Sequence, residues 1–211
     1  DLAKQAAKNG KKTFISGYAD RKVIEGQGTI GREILKQMPD ADWVIGALGG
    51  GGLMGGISSA GQGLKKRPTF IGVQSGNNSP MFETLRNVPG KAHLKGIKPT
   101  IADGTLVTAT PNPKMVKLLR KRLDMVVKVS ERSAEQAVLD LNDRGHRIEG
   151  AGALPLAGLE RALKDLRRPG LKGIKKPRKV VLVMSGGNID QHKLDKIRQQ
   201  HNRPAAPNLT K

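Results

Sequence analysis

The chain has 211 residues, 36% of them hydrophobic, and no cysteine; this suits one layered α/β domain and excludes disulfides and thiolate metal sites. Its 38 Lys and Arg against 18 Asp and Glu give a formal charge of +20, extreme for a metabolic enzyme of this size and the mark of either an anionic partner or a solvated basic surface. No run of about twenty apolar residues occurs, so no spanning helix is expected, and no signal or transit segment is visible, which leaves cytoplasm and mitochondrion both open. In chain order, Leu2, Ala3, Ala6 and Ala7 read as the tail of a helix before a strand at Thr13-Phe14-Ile15. A helix over 23–38 then leads to a strand over 43–48, a helix over 53–64 to a strand over 69–74, and a helix over 113–122 to a strand over 125–129. Helices near 133–143 and 152–166 lead to a strand over 179–184, and a helix-like tail runs from His192 to Gln200. This alternation predicts an α/β fold with a parallel sheet and right-handed crossovers. The Pro- and Gly-rich stretch 87–113 is expected to be an irregular excursion.

Residues 42–52, Asp-Trp-Val-Ile-Gly-Ala-Leu-Gly-Gly-Gly-Gly, are the most informative stretch. Val44, Ile45, Ala47 and Leu48 give an apolar run of strand length, and Leu53, Ile57, Ala60 and Leu64 follow at helical spacing. Between them Gly49, Gly50, Gly51 and Gly52 let the backbone take left-handed torsions and let an anion approach without a Cβ in the way. The free amides and the dipole of the following helix aim at the same anion, so a phosphate fits there. The alternative is a flexible linker, which tight apolar brackets argue against. No Walker lysine followed by Ser or Thr is present, and a glycine run meets the dinucleotide spacing only trivially. A second glycine turn, Ser185-Gly186-Gly187-Asn188-Ile189-Asp190, closes the apolar run Lys179 to Met184. In a parallel sheet both loops lie at the edge where strands end and helices begin, so one ligand can be served by both.

Four motifs together resemble one family. Gly49-Gly50-Gly51-Gly52-Leu53, Ile101-Ala102-Asp103-Gly104, Glu149-Gly150-Ala151-Gly152-Ala153 and Ser185-Gly186-Gly187-Asn188-Ile189-Asp190 match the serine/threonine dehydratases in order and approximate spacing. These are pyridoxal-phosphate enzymes of the tryptophan-synthase-β type, and the likeness is strongest to the catabolic threonine dehydratases. Glu25-Gly26-Gln27-Gly28-Thr29-Ile30-Gly31 and Ile71-Gly72-Val73-Gln74 resemble two further segments of that family, so the likeness runs from about Thr13 to about Arg198. It implies the Rossmann-like large domain of fold type II, a three-layer α/β arrangement without its amino-terminal part. Residues 1–40 would be a remnant of the small domain with a connecting helix, 41–200 the cofactor-binding portion, and 201–211 a tail.

The resemblance also implies roles. Gly49 to Gly52 and Leu53 would bind the phosphate of pyridoxal 5'-phosphate, and Ser185 would meet the pyridine nitrogen. A hydroxyl, unlike a carboxylate, does not hold that nitrogen protonated, which suits elimination of a β-hydroxyl. Gly186 and Gly187 would pack close to the ring and Asn188 would fix the turn. Glu149 is either a residue near the cofactor or an acid favoured by a helix start. Asp103-Gly104 is a tight turn in either account. The complete enzyme would take a hydroxy amino acid to a 2-oxo acid and ammonia, and a homo-oligomer is among the expected assemblies.

Several family features are absent. The cofactor-bearing lysine lies in a pattern like Ser/Asn-Phe-Lys-x-Arg-Gly, followed by a Ser-x-Gly-Asn-His/Gln loop, and neither occurs between Asp1 and Lys211. Without that lysine no residue is assigned to take the α-proton, so no catalytic residue is named and this chain alone is expected to be inactive. The start at Asp1, with no initiator methionine, carries the expectation of an upstream portion. Relatives that bind a divalent cation use a glutamate and an aspartate after the strand equivalent to Phe70–Val73, where this chain has Gln74 and Pro80, so no metal is expected. His93, His146, His192 and His201 are too scattered for a cluster and read as surface or loop residues.

Charge supplies a second functional reading. Residues 151–211 carry 14 basic and 4 acidic residues. Among them Arg167, Arg168, Lys172, Lys175, Lys176, Arg178 and Lys179 belong to a basic 161–179 region that can follow a polyphosphate backbone. One Trp, one Tyr and three Phe leave few stacking platforms, so any contact with RNA would be backbone-directed. The alternative function is therefore a truncated, non-catalytic pseudoenzyme serving as a basic component of a ribonucleoprotein.

Overall fold

A computed structural model describes residues 2–8, 10, 12–86, 98–167 and 173–204. Its helices are α1 (Leu2–Lys8), α2 (Arg21–Gln37), α3 (Gly52–Ser59), α4 (Pro80–Leu85), α5 (Pro113–Arg122), α6 (Glu131–Asp143), α7 (Gly150–Asp165) and α8 (Gln191–Gln200). Four strands, β1 (Trp43–Ala47), β2 (Thr69–Ser75), β3 (Met125–Val129) and β4 (Val180–Leu182), form one sheet in the order β3-β2-β1-β4. Every pairing is parallel, with Trp43 opposite both Thr69 and Val180, and Ile71 opposite Met125. All four strands therefore end at one edge of the sheet and begin at the other. Helix starts are set by local chemistry: Asp20, Asn112, Ser130 and Asp190 each accept a backbone N–H of the first turn on the side chain.

Alternation along the strands sends side chains to two cores. Trp43, Ile45, Ala47, Ile71 and Val73 pack with residues of α6, α7 and α8, whereas Val44, Leu48 and Phe70 pack with α3 and α5. Helices thus cover both faces, giving the three layers expected. On the second face α2 lies against α3 at very close range. A Cβ on Gly56 would overlap the Ile24 carbonyl oxygen and stand 2.7 Å from the Gly28 nitrogen; one on Gly31 would stand 2.7 Å from the Ala60 methyl. The glycines of Glu25–Gly31 are thus in part a packing device.

Four expectations change. Thr13–Ile15 is not a strand: no neighbouring strand pairs with it, and Phe14 and Ile15 are exposed, so β propensity finds no ladder. Helix α3 stops at Ser59 instead of 64, because Ala60–Gly63 turn and Gly63 adopts a left-handed φ of 81°. β4 is shorter than 179–184, although the Val183 N–H still donates to the Ile45 carbonyl at 2.9 Å. Before the irregular excursion stands the unforeseen α4, started by Pro80, with the Phe82 N–H donating to buried Gln74 Oε1 at 2.7 Å.

The carboxyl-terminal segment is held by charge. Arg198, its side chain only 4% exposed, pairs with Asp143. Arg203 bridges Asp143 at 2.7 Å and Asp140 at 2.6 Å. His201 is no free surface group: its side chain is buried, with Nε2 2.9 Å from Glu135 Oε2. Burial pushes the Asp143 carboxyl upward, but hydrogen bonds and charge from Arg198 and Arg203 outweigh it and hold it below the usual range. A depressed carboxylate contributes stability that is complete above its unfolded pKa of about 3.9 and is lost as pH falls toward the folded value. Amide exchange in α8, corrected for intrinsic rates, should therefore lose protection before the sheet does as pH drops from about 6 to about 3. Protection of α8 that outlasts that of the sheet would contradict this.

Candidate functional site

The glycine run follows β1 at the carboxyl edge of the sheet. Gly51, with φ of 98°, turns the chain into α3, and the Gly55 N–H donates to the Gly51 carbonyl at 2.7 Å as the first bond of that helix. The amides of Gly52, Leu53 and Met54 precede that bond and so have no intrahelical acceptor. Added Cβ atoms define which way each glycine faces. At Gly50 one would stand 2.6 Å from the Tyr18 ring, at Gly52 2.8 Å from the Tyr18 backbone, at Gly49 3.1 Å from the Thr105 carbonyl, and at Gly51 2.7 Å from Leu119 in the core. A neighbour thus stands against each glycine of the loop in the direction of its missing Cβ, which a flexible linker would not show.

A cleft of about 220 Å³ opens over this loop. Its wall brings together Gly49, Gly50, Gly51, Gly52 and Leu53 with Glu149 and Ser185, all singled out in the sequence. The second glycine turn reaches it because β4 lies beside β1 in parallel register. Gly186 and Asn188 stand one step back and act through Glu149. The Glu149 N–H donates to the Gly186 carbonyl at 3.2 Å, the Asn188 N–H donates to Glu149 Oε2 at 3.1 Å, and a Cβ on Gly186, whose φ is 102°, would stand 2.8 Å from Glu149 Cδ. Glu149 precedes α7 without capping it by its side chain. Its carboxylate instead clasps the 185–188 turn.

Two residues of the wall, Tyr18 and Thr105, escaped the sequence reading. Tyr18 lies on Gly50 and Gly52 although its residue is 41% exposed. Gly104 and Thr105, in a turn of 3-10 helix at Asp103–Thr105, close the other side. That turn belongs to a strap held from three places. Thr100 Oγ1 donates to Glu131 Oε2 at 2.8 Å, and the Ile101 N–H donates to the same carboxylate. Asn78 accepts the Val107 N–H at 2.8 Å and donates to its carbonyl at 3.1 Å, and Asn77 donates to the Pro99 carbonyl at 2.6 Å. The strap is irregular in torsions but fixed in place. The signal for it was modest: Asn77-Asn78 one residue beyond a strand, and Ser130 with Glu131 at a helix start.

Among the described residues, no three His, Asp or Glu side chains gather to hold a metal ion. Among the described residues, no lysine lines the cleft wall. Of the basic residues named in the sequence, Arg167, Lys175, Lys176 and Arg178 are exposed at or beyond the end of α7, and Lys179 pairs with Asp40. Arg168 and Lys172 lie outside the described residues, as does His93. No helix among the described residues is long and apolar enough to cross a membrane.

The arrangement can be set beside known proteins. Residues 1–186 match the family model described as pyridoxal-phosphate dependent enzyme. An L-threonine ammonia-lyase of Thermotoga maritima is 38% identical over 185 residues, covering 87% of this chain and 43% of that protein. The catabolic L-threonine dehydratase of Escherichia coli K12 is 37% identical over 185 residues, covering 87% and 53%. The processed form of threonine deaminase isoform 2 from Solanum lycopersicum superposes with a TM-score of 0.80 at 28% identity, over 94% of this chain and 52% of that one. The chain spans about half the length of the curated relatives it matches.

Proposed function

This chain belongs to the pyridoxal-phosphate dependent enzyme family, and we propose that it is the cofactor-binding part of a serine/threonine dehydratase, completed by a lysine-bearing portion. The observation that carries the reading is the convergence of Gly49–Gly52, Leu53, Thr105, Glu149 and Ser185 on one cleft. The cleft suits this cofactor on its own chemistry. A loop of glycines packed so closely that a Cβ would not fit, followed by three amides without intrahelical acceptors, is a cradle for a phosphate. A half-buried hydroxyl at the far side is a neutral partner for a ring nitrogen.

In this reading Gly49 to Gly52 and the first-turn amides of α3 hold the phosphate, and Ser185 meets the pyridine nitrogen without holding a proton on it. Glu149 sets the height of Ser185 through the clasp on Gly186 and Asn188. Tyr18 and Thr105 exclude water from the two sides. Pyridoxal phosphate, when bound, supplies the electron sink for a carbanion at the substrate α-carbon. The substrate class is a hydroxy amino acid, threonine or serine. Residues 1–40 then connect to the small domain, 41–200 form the cofactor portion, and 201–211 a tail. With no lysine among the described residues of the cleft wall, the chain alone binds the cofactor and does not deaminate threonine.

Spectral titration with pyridoxal phosphate, with inorganic phosphate as competitor, tests this. Saturable uptake displaced by phosphate, with no 2-oxo acid formed from threonine or serine, is expected. Absence of uptake overturns the site, and turnover by the chain alone overturns its inactivity.

A further inference from the structure

We infer that the amino-terminal edge of the sheet, opposite the cofactor cleft, is a nucleic-acid surface that contacts phosphates through Lys65, Lys66, Lys121, Lys175, Lys176 and Arg178. Because every strand runs the same way, the segments leading into β2, β3 and β4 all arrive at this edge. Lys65 and Lys66 lie ahead of β2, Lys121 in the last turn of α5 ahead of β3, and Lys175, Lys176 and Arg178 ahead of β4. Each of the six is exposed. Sequence inspection saw the last group as one basic loop; the topology makes it one end of a row that crosses the sheet.

The acids Asp40, Asp42 and Asp124 at this edge are engaged within the chain. Asp42 Oδ2 accepts the Arg178 and Lys179 N–H groups at 2.7 and 2.9 Å, and the Asp42 carbonyl accepts the Thr69 N–H at 2.8 Å. Asp124 binds the Arg67 guanidinium at 2.6 Å and accepts the Phe70 N–H at 2.8 Å. Asp40 pairs with Lys179. These carboxylates stitch the lead-in segments together, while none of the six cations joins an ion pair among the described residues. Both Asp40 and Asp42 are held below the usual carboxylate range, first by hydrogen bonds from Lys179, and Lys66 adds to the field at each. The segments ahead of β1, β2 and β4 therefore converge, and their outer rim is positive.

Size and composition fit a polyphosphate. Four strands at about 4.8 Å spacing make a row about 14 Å wide, over which a nucleic-acid duplex presents about eight phosphate charges. The rings at this edge, Trp43 and Phe70, are buried, and Tyr18 lies at the opposite edge, so none of these three offers a stacking platform here. Contact is thus made to the backbone and is indifferent to base sequence. The cleft remains open to its own ligand.

Fluorescence anisotropy of the purified chain with labelled 20-mer duplex RNA, single-stranded RNA and duplex DNA, across a potassium chloride series, tests the inference. A Kd on the order of 10⁻⁶ to 10⁻⁴ M is expected, with log affinity falling linearly in log salt. Replacing all six cations by glutamine should flatten the duplex slope by up to about 5. Pyridoxal phosphate uptake should stay unchanged, so this outcome and the cofactor reading fail separately. A control with Lys8, Lys12, Lys22, Lys98, Lys114 and Lys196 changed to glutamine removes equal charge elsewhere. An equal loss in the control means diffuse charge and overturns the surface. So does a salt-independent or absent signal, or a preference for anionic phosphatidylserine vesicles at matched charge. Comparable binding of RNA and DNA assigns the shared phosphate chemistry; binding of the RNA probes alone assigns RNA.

Discussion

Gly50→Asp is expected to weaken pyridoxal phosphate binding at least about a hundredfold while the chain stays folded. A side chain at Gly50 projects toward the Tyr18 ring, which is partly exposed and free to yield. The new carboxylate then stands at the cleft wall beside the amides that hold the phosphate. Two unit charges about 4 Å apart near a protein surface repel by about 4 kcal/mol, so a hundredfold loss allows for screening. Titration of the variant against the parent chain, with thermal melts of both, measures it; affinity retained within about tenfold would mean that the phosphate lies elsewhere. Gly51→Asp is a poorer probe although it is the next residue. Its φ of 98° strains any L-residue by about 1–2 kcal/mol, and its Cβ faces Leu119 in the core, so the charge would be buried and the fold would fail first.

Gly56→Val is expected to destabilise the chain by about 3 kcal/mol or more, lowering Tm by about 10 °C. The obstruction is backbone on two sides, the Ile24 carbonyl and the Gly28 nitrogen, so no rotamer change relieves it and α2 must lift from α3. Gly26→Ala, in the same Glu-Gly-Gln-Gly motif, meets nothing within 4 Å and should stabilise the helix by about 0.5–1 kcal/mol. Urea denaturation of the pair separates close helix packing from a general intolerance of the motif. A Gly56→Val midpoint equal to that of the parent would remove the packing account.

How much of this was legible depends on how local each cause is. The strand before Gly49 and the helix after it follow from apolar spacing and glycine punctuation, both properties of neighbouring residues. Parallel order then follows from alternation, and with it the meeting of Gly49–Gly52 and Ser185 at one edge. The contact of Tyr18 with Gly50 depends on how the segment before α2 crosses the loop, which no spacing within 13–20 encodes. Thr105 was hidden for the same reason: Glu131 and Asn78, distant in sequence, decide where it stands. Thr13–Ile15 misled because β propensity has no meaning without a partner strand. The basic rim was seen in part, as charge accumulates visibly along 161–179; its continuation through Lys65, Lys66 and Lys121 needed the strand directions.

The positions of Trp43 and Tyr18 give the protein a built-in optical pair. Each is the sole residue of its type in 211. The indole, buried at the first residue of β1, senses the integrity of the sheet near the cationic rim, while the phenol, resting on the glycine loop, senses whatever enters the cleft. Occupancy of the two ends of one sheet can therefore be followed separately, by emission from two unlabelled chromophores in the same sample.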